Sequence, residues 1–548
     1  MHTLRWLPMT LALALASSAG ARETTVNLPD IGSSAGTVMS PGDQREYGAS
    51  MLHELRSYGL VLDDPLLDDY INAVGYRLVA HSDRPDLSFT FFILRDPEIN
   101  AFAAPGGYIA ANSGMITAMH REDELAAILA HEIAHITQQH LLRAFEDAKK
   151  SSIPIALAML GAIVATSHRN DDSAGAAIVS GTSLIQQRQI DFTRQDETEA
   201  DHVGIQTLAR AGFDPFAMAD TFSTLQRVMR SNGIDVPEFL LTHPVDIHRI
   251  ADAKARASQL TGEADDARNG QSDTAVALSN SPLLPLAQLR NIAKAGGKTE
   301  KIDSPGETGE AYFELMRERA RVLSAPSAGA MVRYYADNLR DDAKFDTPAN
   351  RYGYALALTR AHQSKQAVAE MRALIAEQPE RSVFRLALAD AEDQNGNEKA
   401  ASSIYEELNL DFPGNHMIAL AYAKSLLARG TSKAGGHAAE LLRPLLDRFG
   451  DDPDLQQSFG RACQLSGDKV RATEAYSEAA YLNGHAEDAL NQLKALLKQS
   501  ELTYYERARV DARITALTPV VLELRQRGGK HPDDDGSSLV PTLACCRR

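Results

Sequence analysis

Cysteine is almost missing from this chain: among 548 residues only Cys463, Cys545 and Cys546 carry thiols. That excludes a disulfide framework and a thiolate zinc site. Cys463 falls in a helical stretch, where it reads as a small buried apolar side chain; the other two lie in a polar tail. An excess of positive charge is lacking as well. The 56 Lys and Arg face 73 Asp and Glu, for a net charge of −17. Nucleic acid is therefore excluded as a partner, because phosphate binding gains from a basic surface that releases counterions. Long hydrophobic runs are absent too. Residues 6–16, 153–166 and 174–185 are strongly apolar, yet each is short of the roughly 20 residues that a spanning helix needs.

The first of these runs reads as an export signal. His2 and Arg5 make a polar start, residues 6–16 the apolar part, and Ala19-Gly20-Ala21 a small-x-small cleavage site. A membrane anchor would need a longer run. The sequence thus predicts a signal peptide over 1–21 and a bacterial, periplasmic mature protein. No cysteine stands near the cleavage site, so a lipid-modified N-terminus is not expected.

A length of 548 residues predicts more than one core. Residues 22–44 are rich in Gly, Ser and Pro and read as a flexible lead-in. Helical periodicity begins near Tyr47, and Leu66, Leu67, Tyr70, Ile71, Val74 and Leu78 predict an amphipathic helix over 65–80. Phe89–Leu94 and Gly107–Ala111 read as short strands separated by Pro105-Gly106-Gly107. A long helix from Asp123 to about Arg143 follows, then further helices to about Leu260. Residues 45–261 thus form a small, mostly helical α+β domain. Residues 262–306 read as a linker with a short helix near 283–294, and 528–548 as a disordered tail.

Between the linker and the tail, 307–527, punctuation recurs at a fixed period. Pro379 and Pro413 are 34 residues apart, as are Gly396 and Gly430; Gly467 comes slightly late, after a Gly-rich insertion at Thr431–His437. Small residues Ala367, Ala401, Ala438 and Ala472 mark the second helix of each pair. Helix pairs at this period resemble tetratricopeptide repeats, an all-α solenoid whose concave face binds protein or peptide.

The strongest chemical signal is His131-Glu132-Ile133-Ala134-His135. Histidines at i and i+4 share one helical face and can ligate one zinc, with Glu132 beside them to take a proton from water. A catalytic zinc needs a third protein ligand. About 60 residues on, Asp196-Glu197-Thr198-Glu199-Ala200-Asp201 places Glu197 and Asp201 at i and i+4. Glu197 can then bind the metal while Asp201 accepts the second ring N–H of a ligating histidine. Glu199 points elsewhere on that helix. His140, more than a turn beyond His135, reads as structural.

These residues resemble a family. His-Glu-Ile-Ala-His followed by Glu197-Thr198-Glu199-Ala200-Asp201-His202-Val203-Gly204, with Asn100–Ile109 just before, is similar to the gluzincin metallopeptidases of the HtpX and CAAX-prenyl-protease group. The resemblance implies a zincin-type peptidase domain with one zinc per chain, Glu197 as third ligand and Asp201 behind the histidines. It implies an edge strand through Gly106, Gly107, Tyr108 and Ile109 that holds substrate as an added strand. Thr242-His243-Pro244 with Arg249 also fits the family. His243 then has two roles open to it: a fourth ligand that keeps the enzyme latent, or a donor to the tetrahedral oxyanion, which Arg249 could serve as well. With the export signal and the repeats, the resemblance further implies assembly and quality control of outer-membrane β-barrel proteins. Unfolded or misassembled ones would be the clients, and the repeats would contact the assembly machinery. A repeat scaffold or chaperone with a largely latent zinc site is the rival reading; a CAAX-type prenyl peptidase would need membrane spans. Residues 153–185 read either as core helices or as a hairpin that covers the cleft or touches membrane.

Overall fold

The computed structural model describes residues 39–144, 194–231, 238–270, 308–499 and 502–527. The expected signal peptide, most of the lead-in and linker, the apolar stretches at 153–185 and the Cys545–Cys546 tail lie outside them. Among the described residues no helix is long and apolar enough to cross a membrane.

The first helix starts earlier than periodicity predicts. α1 (Pro41–Ser57) begins inside the expected lead-in, because Ser40 and Asp43 form a capping box ahead of a proline at its first turn. α2 (Pro65–Val79) is capped by the Asp64 carboxylate, which accepts from the Leu67 amide at 3.2 Å. Three strands follow: β1 (Thr90–Leu94), β2 (Ala101–Ala104) and β3 (Tyr108–Asn112). Their order is β1-β3-β2, with β3 parallel to β1 and antiparallel to β2. Strand alternation sends Phe91, Ile93, Ala101 and Ile109 into the main core, toward α2, and Phe92, Leu94, Phe102 and Ala110 toward α1.

This order corrects the expected edge strand. Tyr108 and Ile109 belong to the central strand, paired on both sides, so no substrate strand can add there. Gly106 and Gly107 make the β2–β3 turn at φ 85° and 87°. A Cβ at Gly107 would lie 2.0 Å from the Ser88 carbonyl oxygen, so only glycine fits. Among the described residues the free edge is that of β2.

After α3 (Ser113–Ala118) comes α4 (Glu122–Thr137), which carries the His-Glu-x-x-His run and packs against β2. It is shorter than predicted. The chain turns at Gln138 and Gln139, the latter at φ 58°, before residues 140–144 become helical again. α5 (Arg194–Ala211), α6 (Ala217–Ser231), α7 (Glu238–Thr242) and α8 (Ile247–Gly270) complete the region, and α8 runs beyond residue 261.

The C-terminal region is a helical solenoid. α9 (Glu310–Ser324) and α10 (Ala328–Asp341) lead into successive pairs: α11 (Pro348–Arg360) with α12 (Ser364–Glu377), α13 (Ser382–Gln394) with α14 (Glu398–Asp411), and α15 (His416–Ala428) with α16 (Ser432–Leu442). After a 3-10 turn and the short α17 (Leu446–Phe449) come α18 (Pro453–Ser466) with α19 (Lys469–Leu482), then α20 (Ala486–Leu497) with α21 (Tyr504–Arg527). Each helix packs mainly on its sequence neighbours. Ala367, Ala401, Ala438 and Ala472 are buried on the second helices, as close contact requires, and Gly396, Gly430 and Gly467 end the first ones.

α9 is physically part of the peptidase region. It packs on α2, α3 and α4, and Tyr312 meets Tyr70 with ring centroids 5.8 Å apart. Arg319 clamps Asp64 through Nε and Nη2 at 2.6 and 2.7 Å, and gives Nη1 to the Tyr352 hydroxyl. The N-termini of α4 and α9 also cap each other. Glu122 accepts from the Gly309 amide at 2.7 Å, while Glu310 accepts from the Glu122 amide at 3.0 Å.

Candidate metal centre

Two helices and one loop converge on the His-Glu-x-x-His face. α5 lies close against α4 because Gly204 faces it: a Cβ there would sit 3.3 Å from the His131 amide nitrogen and 3.0 Å from Met218 Cε. The loop residue is His243, just past α7. The Phe239 amide donates to the Ile99 carbonyl ahead of β2, and the His243 amide donates back to the Phe239 carbonyl at 2.8 Å. The Phe239 ring stacks on the His243 imidazole, centroids 4.7 Å apart.

His131, His135, Glu197 and His243 thereby bring one ligand atom each to within 4.8 Å of one another, all of them buried. His131 Nε2 stands 3.0 Å from His135 Nε2, 3.6 Å from Glu197 Oε2 and 3.4 Å from His243 Nδ1. Glu197 Oε1 is 3.4 Å from His135 Nε2 and 2.9 Å from His243 Nδ1. A tetrahedral zinc with bonds of 2.0–2.1 Å has ligand–ligand edges of about 3.3 Å. The donor set fits such an ion. Beside it Glu132 is fully buried, with His243 Nε2 3.8 Å from its Oε1 and the Ala103 amide of β2 turned toward its carboxylate. A carboxylate held this close to the donors is placed for proton transfer.

Behind the donors stands a second layer of charge. Asp201 Oδ1 lies 3.0 Å from His131 Nδ1, the nitrogen that faces away from the cluster. Arg249 grips Asp201 through Nε and Nη2, both at 2.7 Å, and its Nη1 reaches Glu197 Oε2 at 2.8 Å and the Pro244 carbonyl at 2.7 Å. The fork of Arg249, for which an oxyanion role was open, is engaged on Asp201 and Glu197.

The family model for peptidase family M48 matches residues 65–257. The beta-barrel assembly-enhancing protease of Escherichia coli (strain K12) is 31% identical over 89% of this chain and 91% of its own length. The chain belongs to this family of metallopeptidases. The putative beta-barrel assembly-enhancing protease of Vibrio cholerae is 41% identical over 44% of this chain and 49% of its own length. The mitochondrial metalloendopeptidase OMA1 of Schizosaccharomyces pombe is 32% identical over 33% of this chain and half of its own.

The electrostatics of this M48 peptidase follow from burying so many ionisable groups together. Burial opposes charge on His131, but hydrogen bonds to Asp201 and Glu197 outweigh it and raise its pKa to about 10. Burial holds His135 well below the usual histidine range. For Glu197 burial alone would favour the neutral acid, yet the surrounding histidines keep it ionised, well below the usual carboxylate range. Burial pushes Glu132 up, against the opposing pull of His243 and His131. A carboxyl pushed up in this way is better matched to taking and returning a proton.

One residue that reads as merely structural in the sequence belongs to this layer. The turn at Gln138–Gln139 brings His140 back onto His135, their Nδ1 atoms 2.9 Å apart. Nothing in the sequence signals that turn, since glutamine has no special leaning to the left-handed region.

Proposed function

We propose that this M48 peptidase is a zinc endopeptidase of the bacterial periplasm that cleaves misassembled outer-membrane β-barrel proteins and assists assembly of the rest. The observation that carries the enzymatic part is a buried set of four donors gathered within 4.8 Å, next to the buried Glu132 carboxylate. His131, His135 and Glu197 would hold one zinc, which would supply Lewis acidity toward water and the scissile carbonyl. Glu132 takes the proton of the attacking water and returns it to the leaving amine. Asp201 and Arg249 hold the ligands in place, and the free edge of β2 lines up an extended peptide through main-chain hydrogen bonds, which read little sequence.

His243 is the fourth ligand on this reading. With His243 as fourth donor no position would be left for water, and the enzyme would rest latent until the α7 loop withdraws. The name that the relatives carry supports outer-membrane proteins as clients and an envelope location. The solenoid, of tetratricopeptide type, would meet the assembly machinery. The four-donor set also favours the rival scaffold reading in part, since latency is the resting state. Metal analysis together with cleavage of casein and an unfolded β-barrel protein tests the proposal. One zinc per chain and cleavage are expected; a chain that binds no zinc, or cleaves nothing after His243 is removed, overturns it.

A further inference from the structure

The two histidines of the His-Glu-x-x-His run are supported in different ways. His131 is backed directly by Asp201, which Arg249 grips. Behind His135 a second imidazole intervenes. His140 Nδ1 is 2.9 Å from His135 Nδ1, and His140 Nε2 is 3.1 Å from Glu199 Oε2. Arg143 Nη2 holds Glu199 at 2.8 Å and reaches Asp196 at 3.3 Å, and Asp196 stands 3.9 Å from His140 Nε2. His140 is buried, whereas Glu199 is partly open to solvent.

Only one proton order satisfies this chain of contacts when His135 ligates metal. His135 Nε2 faces the donor cluster and must offer its lone pair, which leaves the proton on Nδ1. That Nδ1–H points at His140 Nδ1, which must accept, so the His140 proton sits on Nε2. The Nε2–H then donates to the Glu199 carboxylate, whose charge Arg143 balances. The left-handed turn at Gln139 is what makes the geometry available. A continued helix would carry residue 140 past His135 along the axis, whereas the turn folds it back.

We propose that His140 is a positioning residue of the metal centre: it accepts the Nδ1–H of His135, fixes the tautomer that presents Nε2 to the metal, and passes the hydrogen bond on to Glu199. The inference rests on the metal-centre reading above. Both histidines of the His-Glu-x-x-His run then stand in front of an arginine-held carboxylate, one directly and one through an imidazole. Outer partners of this kind raise ligand basicity and restrict ring rotation.

The test uses the full chain and reads metal binding as well as cleavage. Zinc affinity is measured by competition with a chromophoric chelator, and ligand geometry by the visible absorption of the cobalt-substituted protein. His140→Leu is expected to weaken zinc binding roughly 10- to 100-fold and to shift the cobalt bands. His140→Asn keeps an acceptor at the δ position and should restore binding to within about threefold of wild type. Wild-type affinity and an unchanged cobalt spectrum in His140→Leu would overturn the proposal, and so would equal losses in Leu and Asn. If the Leu variant does not fold, Glu199→Ala decides, since it alters a partly exposed group. It should weaken zinc binding by about threefold or more, and wild-type affinity there overturns the assignment. A wild-type chain that binds no zinc removes the metal-centre reading and this inference with it, whereas zinc-binding variants indifferent to position 140 remove only the latter.

Discussion

At the scale of single residues, the proposed mechanism divides the chemistry between Glu132 and His243. Glu132→Gln should retain zinc, because none of the four donors is altered, and should abolish cleavage, because an amide cannot hold the proton. Residual hydrolysis within a few-fold of wild type, measured on an unfolded substrate, would sink the mechanism. His243→Ala is expected to leave zinc on three ligands and raise basal proteolysis, with self-cleavage as a symptom on gels. The sign discriminates: an oxyanion donor would instead cost about a hundredfold in rate on removal. His131, Glu132 and His135 could be read from the sequence because their spacing is local to one helix, and Glu197 with Asp201 for the same reason. His243 needed a family pattern, since nothing in a Thr-His-Pro loop says what it faces. The grip of Arg249 on Asp201 spans 48 residues and is set by how α8 crosses α5, which local pattern does not encode.

At the scale of elements, the start of the catalytic helix depends on another helix far along the chain. Arg121, ahead of α4, makes no side-chain cap. The Glu122 amide is satisfied by Glu310 instead, and the Glu122 carboxylate in turn accepts from Gly309. Two helix N-termini meet there, and each positive end is met by the other's carboxylate. Glu310→Ala should destabilise the protein by about 0.5–2 kcal/mol, the range for losing a cap. Thermal unfolding and hydrogen exchange at the Glu122 amide measure it; unchanged exchange there would sever the link. The sequence places the helix start at Asp123, one residue late, and nothing in it says that Glu122 caps a distant helix. Strand order was equally hidden. β2 (Ala101–Ala104) does not read as a strand of its own in the sequence, and which strand takes the edge depends on which pairs with β1. The helical periods of the solenoid, by contrast, were written in proline, glycine and alanine spacing and needed no partner to be read.

At the scale of the whole molecule, Arg319 and Asp64 join the two regions through a bidentate, buried pair. Burial alone would raise the Asp64 carboxyl, but the Arg319 charge, its hydrogen bonds and the Leu67 amide hold it below the usual range. A depressed carboxyl stabilises the fold above its unfolded pKa, about 3.9, and that contribution drains away as the pH falls through the lower folded value. Wild type should therefore lose thermal stability below about pH 4 more steeply than Asp64→Asn, which has no such proton to take up. Parallel slopes in melts taken across that range would deny the pair this role. The packing of α9 also bears on dissection of the chain. All named site residues precede residue 262, yet a fragment ending there uncovers the surfaces of α2, α3 and α4 that α9 protects. A fragment of residues 39–270 should melt well below the full chain, and adding residues through 324 as a second piece should raise its melting temperature. No gain on adding that piece would show that α9 is dispensable.

The position of α9 sets a timetable as well. A chain that emerges N-terminus first presents α4, with its histidines, long before Glu310 and Arg319 exist to brace it. Contacts across 188 and 255 residues close late, since distant pairings wait on chain entropy and on supply of the chain itself. The nascent peptidase is therefore incomplete for as long as its own solenoid is unmade. Completion of the peptidase region is tied to arrival of the first solenoid helix, made almost two hundred residues later.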